Sequence, residues 1–105
     1  MIVCDHEEDL RKKIAHNKVI VYFHTPMCGT CGIAEHFLTL TEPLIRGIAP
    51  VYKSNISFFP EFAKTFEIKS VPCALFIDQG KEVKKVYAFE SVTNMYEHIQ
   101  TFISK

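Results

Sequence analysis

Hydrophobic and polar positions follow two different periods along this chain, and each change of period marks an element. Residues 5 to 16 are largely charged, with Leu10 and Ile14 four apart on one stripe. That spacing predicts a surface helix, with Asp5 as its N-cap. Val19 to Phe23 is an unbroken apolar run rich in β-branched and aromatic side chains, which predicts a strand buried on both faces. Ile33, Phe37 and Leu40 then recur at helical spacing, so a helix is expected from Cys28 into the forties, with Pro43 bending or ending it and Gly47 marking its exit. Residues 50 to 55 read as a second strand. Phe59, Phe62, Ala63 and Phe66 return to helical spacing within residues 58 to 66, where Pro60 fits only a first turn. Residues 73 to 78 and 82 to 88 read as strands around Asp78-Gln79-Gly80-Lys81, a turn signal that predicts an antiparallel hairpin. Ser91 caps a last helix whose Val92, Met95, Tyr96, Ile99, Phe102 and Ile103 form one apolar face suited to packing on a sheet.

The alternation of helical and strand segments, without repeats or low-complexity tracts, is that of an α/β fold. A length of 105 residues with 48% hydrophobic composition fits one domain over residues 1–105 that buries a core without structural disulfides. Twelve basic and twelve acidic residues cancel, so no overall field draws the chain onto nucleic acid or an anionic membrane. Met1 to Lys13 places charges where a secretion signal needs an apolar core, and no segment approaches the roughly 20 apolar residues of a membrane span. A cytoplasmic protein is expected. In a reducing compartment, four cysteines point to reactive or metal-binding roles before structural ones.

The chemistry concentrates at His24-Thr25-Pro26-Met27-Cys28-Gly29-Thr30-Cys31, a Cys-x-x-Cys pair between the apolar run and a helical stretch. If Cys28 opens that helix, unpaired backbone N–H groups and the positive end of the helix dipole favour its thiolate, which makes it the nucleophile. Cys31, one helical turn deeper, is close enough to close a disulfide and becomes the resolving cysteine.

Cys28-Gly29-Thr30-Cys31 after a strand, together with Val71-Pro72 before a hairpin, resembles the thioredoxin family over essentially the whole chain. The resemblance implies a thioredoxin-like fold, with a central mixed β-sheet flanked by helices, and dithiol–disulfide exchange at the pair. It also implies that Pro72 is the cis proline facing the cysteines. A cis Val71–Pro72 bond lets the backbone of Val71 turn outward and hold an extended substrate strand beside the disulfide. Met27, Gly29, Thr30, Val71 and Pro72 are therefore the candidate substrate contacts, with Gly29 giving the loop a close approach.

Three positions depart from the family pattern. Met27 stands where thioredoxins usually have tryptophan, and Thr30 stands where they have proline. Losing that proline restores a backbone N–H that can donate to the Cys28 thiolate. Potentials within this fold run from about −270 mV to about −120 mV, so the dipeptide bears on direction as well as rate. Tyr22 occupies the place of a buried carboxylate that assists the second cysteine, and a phenol is a poor base at neutral pH. Lys53 matches the lysine normally beside that carboxylate, and His24, at the strand end, is the other candidate for proton transfer. His36 lies eight residues past Cys28, roughly 12 Å along a helix and too far for direct chemistry; His6, His16 and His98 read as surface residues. Cys73 reads as a small buried hydrophobe opening a strand, against the alternative of a third thiol at the active loop, and Cys4 as a bystander.

The expectation is a thiol–disulfide oxidoreductase of the protein-disulfide reductase type, working without a bound cofactor or metal. Its partners would be disulfide-containing proteins and an external reductant, either a reductase or a low-molecular-weight thiol. Other readings stay open. One is a glutathione-coupled enzyme of the same fold. Another is a metal site completed by Cys4 and Cys73, or a cluster bridged between two copies through Cys28 and Cys31. A third is a non-enzymatic module that holds a partner strand at Val71-Pro72.

Overall fold

The apolar run at residues 19 to 23 becomes the middle of a five-stranded sheet in the computed structural model, which describes residues 1 to 104. The elements, in chain order, are β1 (Ile2–Val3), α1 (Glu7–Ile14), β2 (Lys18–His24), α2 (Cys31–Thr41), β3 (Val51–Asn55), α3 (Pro60–Thr65), β4 (Cys73–Asp78), β5 (Lys81–Val86) and α4 (Val92–Ile103). Short 3₁₀ turns follow α2 at Glu42–Ile45 and precede α3 at Ile56–Phe58. The strand order is β1-β3-β2-β4-β5, with β1/β3 and β2/β3 parallel and β2/β4 and β4/β5 antiparallel. This is the mixed sheet flanked by helices that the sequence predicts.

β2 lies between β3 and β4, helices cover both faces of the sheet, and the side chains of β2 divide between those faces by parity. Ile20 and Tyr22 enter one cluster with Ala34, Leu38, Ala74, Phe76, Met95, Ile99 and Phe102, beneath α2 and α4. Val19, Val21 and Phe23 enter the other with Leu10, Ile14, Phe59, Phe62, Cys73, Leu75 and Ile77, beneath α1 and α3. Leu10 and Ile14 of α1 and Met95, Ile99 and Phe102 of α4 face the sheet as expected, whereas Tyr96, read as part of the α4 face, is exposed. At the hairpin, Gln79 and Gly80 take positive φ values of 51° and 81°, the left-handed pair that a two-residue turn between twisted strands requires.

Several boundaries move. The N-cap of α1 is His6, because the Asp5 carboxylate instead accepts a hydrogen bond from the Asn55 backbone N–H at 2.9 Å, joining the start of α1 to the end of β3. α2 ends at Thr41, two residues before Pro43, as expected, and Pro43 sits in the first turn of the 3₁₀ segment that follows, where no N–H is needed. Pro60 likewise starts α3. β1, two residues on the edge beside β3, has no counterpart in the periodicity. The strand read as 82 to 88 spans Lys81–Val86, leaving Tyr87 to Glu90 as a loop before Ser91, whose side chain accepts from the Asn94 N–H at 3.0 Å.

Candidate active site

The register of the sheet brings the two predicted loops together. Phe23 pairs with Cys73, so the segment leaving β2 and the segment entering β4 emerge at the same end of the sheet. There, Cys28 and Cys31 form a disulfide with Cα atoms 5.4 Å apart. The Val71–Pro72 peptide bond is cis, as the resemblance implies.

Cys28 does not open the helix. Its N–H donates to the Thr25 carbonyl at 3.2 Å, closing a turn through Pro26 and Met27, and the first helical residue is Cys31, with Thr30 as N-cap. Pro26 pre-sets that turn, and a helix can start only after it. The helix end still bears on the pair. Cys31 is the first residue of α2, and the Cys28 sulfur bonded to it lies at the same helix end, next to first-turn N–H groups that lack intrahelical partners. Cys28 is half-buried, whereas Cys31 is 6% exposed, so a partner reaches the first sulfur and not the second. The Thr30 hydroxyl lies 3.7 Å from the Cys28 sulfur.

A groove of about 380 Å³ runs beside the pair, lined by Thr30, Ile33 and Ala34 on α2 and by Pro72, Tyr87 and Phe89 opposite. Met27, in front of Cys28, is 94% exposed, and Ile33 is 60% exposed. A side chain at Gly29 would meet nothing within 4 Å, so the loop is open to an approaching backbone. Of the substrate contacts read from the sequence, Pro72 and Thr30 line this groove. Val71 packs partly buried against both cores, where it joins the two faces behind the loop.

A second, smaller cavity of about 210 Å³ opens on the other side of the disulfide, lined by Tyr22, His24, Cys28, Cys31, Glu35 and Lys53. Tyr22 is fully buried, and its hydroxyl donates to the Cys31 carbonyl oxygen at 2.5 Å. Burial first, and the Glu35 carboxylate second, push its phenol far above the ordinary range. His24 stacks on the Tyr22 ring with centroids 5.9 Å apart. Burial, then the Lys53 cation, push the His24 imidazole below its ordinary value against the opposing pull of Glu35 and Asp5, so it is neutral at pH 7. Lys53 pairs across the sheet with Tyr22, which directs it to the α2 side, and its ammonium forms an ion pair with Glu35. Glu35 was missed in the sequence. Its signal was its position four residues after Cys31 on the same helix face, together with a lysine that called for a carboxylate.

Cys73 is fully buried, and burial pushes its thiol up to about 12 despite the hydrogen bond from Tyr87 and the charge of Lys85. It packs as the strand hydrophobe the sequence predicts, and Cys4, read as a bystander, is also buried, with its thiol toward the His6 carbonyl. Among the described residues, no three His, Cys, Asp or Glu side chains are grouped to hold a metal ion, and no helix is long and apolar enough to cross a membrane. His36 is exposed, as are His6 and His16. His98, read as a surface residue, is half-buried, with its Nδ1 3.2 Å from the Lys84 ammonium.

Residues 2–103 match the thioredoxin family model. The chain is 40% identical over 96 residues to a thioredoxin-like protein, YusE, of Bacillus subtilis (strain 168), covering 91% of this chain and 87% of that one. It is 25% identical over 91 residues to a thioredoxin of Staphylococcus aureus, covering 87% and 88% of the two chains. Among solved structures, a single-substitution mutant thioredoxin from Halobacterium salinarum NRC-1 superposes with a TM-score of 0.78 at 18% identity, covering 97% of this chain and 89% of that one, a likeness of fold.

Proposed function

This chain belongs to the thioredoxin family and carries its paired thiols as a thiol–disulfide oxidoreductase, and from that premise we propose that it is a protein-disulfide reductase. The observation that carries the reading is the asymmetry of the pair, a half-exposed Cys28 joined to a buried Cys31 at a helix N-terminus, beside an apolar groove that ends at cis Pro72. The Cys28 thiolate attacks one sulfur of a substrate disulfide; the other sulfur leaves as a thiolate, and a mixed disulfide remains on Cys28. Cys31 then attacks the Cys28 sulfur, the bond to the substrate breaks, and two electrons have passed from the dithiol to the substrate. An external reductant, a reductase or a low-molecular-weight thiol, returns the Cys28–Cys31 disulfide to the dithiol. An extended substrate segment lies along Met27, Gly29, Thr30, Val71 and Pro72. No bound cofactor takes part. His24 and Lys53 border the route of proton transfer on the cavity side. The two buried thiols Cys4 and Cys73, outside the redox pair, suit a reducing cytoplasm.

The charge of the groove favours a protein substrate over glutathione. Among the described residues lining it, Glu90 is the only charged one. Glutathione carries two carboxylates and one ammonium, so its net negative charge meets a like charge there, whereas an extended peptide gains from Ile33, Pro72, Tyr87 and Phe89. The reading is tested with two variants and a disulfide-containing protein such as insulin. Cys28→Ser abolishes turnover, and Cys31→Ser accumulates a covalent protein–substrate adduct visible by mass. Retained turnover in Cys28→Ser sinks the assignment.

A further inference from the structure

Resolution of the mixed disulfide requires Cys31 to lose a proton at a place bulk water hardly reaches, since the residue is 6% exposed. The proton must pass to a group lining the cavity beneath the pair, and four titratable side chains other than the cysteines line it: Tyr22, His24, Glu35 and Lys53. Tyr22 is committed as a donor to the Cys31 carbonyl. Lys53, an ammonium paired to a carboxylate, has no lone pair to offer. Two acceptors remain, and helix geometry separates them. Glu35 stands four residues after Cys31 in α2, so the two side chains share a face with Cβ atoms roughly 5–6 Å apart. Helical Cα–Cβ bonds lean toward the N-terminus, which tips Glu35 toward Cys31. The Lys53 ion pair then holds the carboxylate over the cavity instead of letting it swing into solvent.

We propose that Glu35 is the proton acceptor for Cys31 in the resolving step, with Lys53 as its positioning residue. The base has moved from the strand, where Tyr22 stands, to the helix. The inference rests on the reductase reading above. In the step, the Cys31 S–H bond breaks and its proton goes to a Glu35 carboxylate oxygen, across a cavity wide enough for water. The Cys31 thiolate attacks the Cys28 sulfur and forms the Cys28–Cys31 bond, the Cys28–substrate bond breaks, and the leaving substrate thiolate takes a proton from solvent. Glu35, with its side chain 32% exposed, releases the transferred proton to water. The charges and titrating groups facing it are Lys53 from β3, His24 and Tyr22 from β2, and the two sulfurs at the start of α2. Asp5, from the segment before α1, acts on His24.

The test is single-turnover reduction of insulin by pre-reduced protein, quenched in acid, with the mixed disulfide followed by mass from pH 6 to pH 10. In Glu35→Gln the mixed disulfide accumulates because resolution slows about 100-fold at neutral pH. The deficit falls on the second step and narrows as pH rises, because a thiol that ionises without help no longer needs the carboxylate. Glu35→Asp recovers part of the rate, which a carboxylate removed only for its packing would not do, and thermal melting of both variants confirms that they fold. Resolution at the wild-type rate at every pH in Glu35→Gln overturns the proposal, as does a deficit that is the same at every pH. So does a pH-dependent deficit found in His24→Gln and absent from Glu35→Gln. If pre-reduced wild-type protein leaves insulin unreduced, the reductase reading fails first, and the inference falls with it.

Discussion

Cys31 and Cys73 are both almost inaccessible, yet only one of them sits where thiol chemistry is possible, and the difference lies in which face of the sheet each occupies. Cys31 faces the α2 and α4 side, where Tyr22, His24, Glu35 and Lys53 surround a cavity open to water. Cys73, paired in register with Phe23, belongs to the α1 and α3 side, among Phe59, Phe62, Leu75 and Ile77. Burial alone therefore does not make a cysteine inert. What matters is whether the buried sulfur stands at a helix end beside a cavity open to water, as Cys31 does, or is so enclosed that burial pushes its thiol up to about 12 despite the Tyr87 hydrogen bond and the Lys85 charge, as at Cys73. One strand serves both settings, since β2 sends Tyr22 to the reactive face and Val21 and Phe23 to the silent one.

The largest break of this comparison is made on the silent face. Phe59 is fully buried, with its ring 5.5 Å from that of Phe23 and 5.7 Å from that of Phe62. Phe59→Ala is expected to cost about 3–5 kcal/mol in a denaturant titration. Disulfide reduction by the fraction that stays folded keeps its rate, because Cys28 and Cys31 belong to the opposite cluster. A smaller effect is expected on the reactive face. Tyr22→Phe removes the hydroxyl that anchors the Cys31 carbonyl and costs about 1 kcal/mol. The same variant leaves the resolving step intact if Glu35, and not the phenol, takes the proton.

The smallest effect is set by pH. His24 and His98 both titrate below the ordinary imidazole value in the folded chain, in each case through burial first and a neighbouring lysine second. Below about pH 6.5 the unfolded chain binds protons that the folded chain refuses, so stability is full above that pH and declines as pH falls through the lowered values. Denaturant midpoints between pH 7.5 and pH 5 are expected to fall, and to fall less in His24→Gln. A midpoint that rises on acidification contradicts the assignment of both groups.

Much of this division was legible in the sequence. The parity of Val19 to Phe23, the i, i+4 stripe of Leu10 and Ile14, and the Asp78-Gln79-Gly80-Lys81 turn carry the sheet and its two layers, because burial writes directly into periodicity. Cys28, Cys31 and Pro72 were legible because their chemistry depends on local spacing. β1 was not, since two exposed residues, Ile2 and Val3, are too few to show a period and gain their place only by pairing with Tyr52 and Lys53. The start of α2 was placed three residues early, because apolar spacing cannot report that the Thr25–Cys28 turn postpones the helix. Glu35 escaped for a different reason. A glutamate on a helix surface reads as solvated until the fold brings Lys53, from the neighbouring strand, against it.

The central claim, that one pair of the four cysteines is redox-active and works as a reductant, is tested most directly by an equilibrium redox titration against a dithiol buffer, with thiol alkylation read by mass at each residue. The account predicts a reversible two-electron transition confined to Cys28 and Cys31, near the roughly −270 mV of a reducing member of this fold, with Cys4 and Cys73 unalkylated throughout in the folded protein. A pair that never forms a reversible disulfide, a disulfide that includes Cys73, or a midpoint near about −120 mV would contradict it.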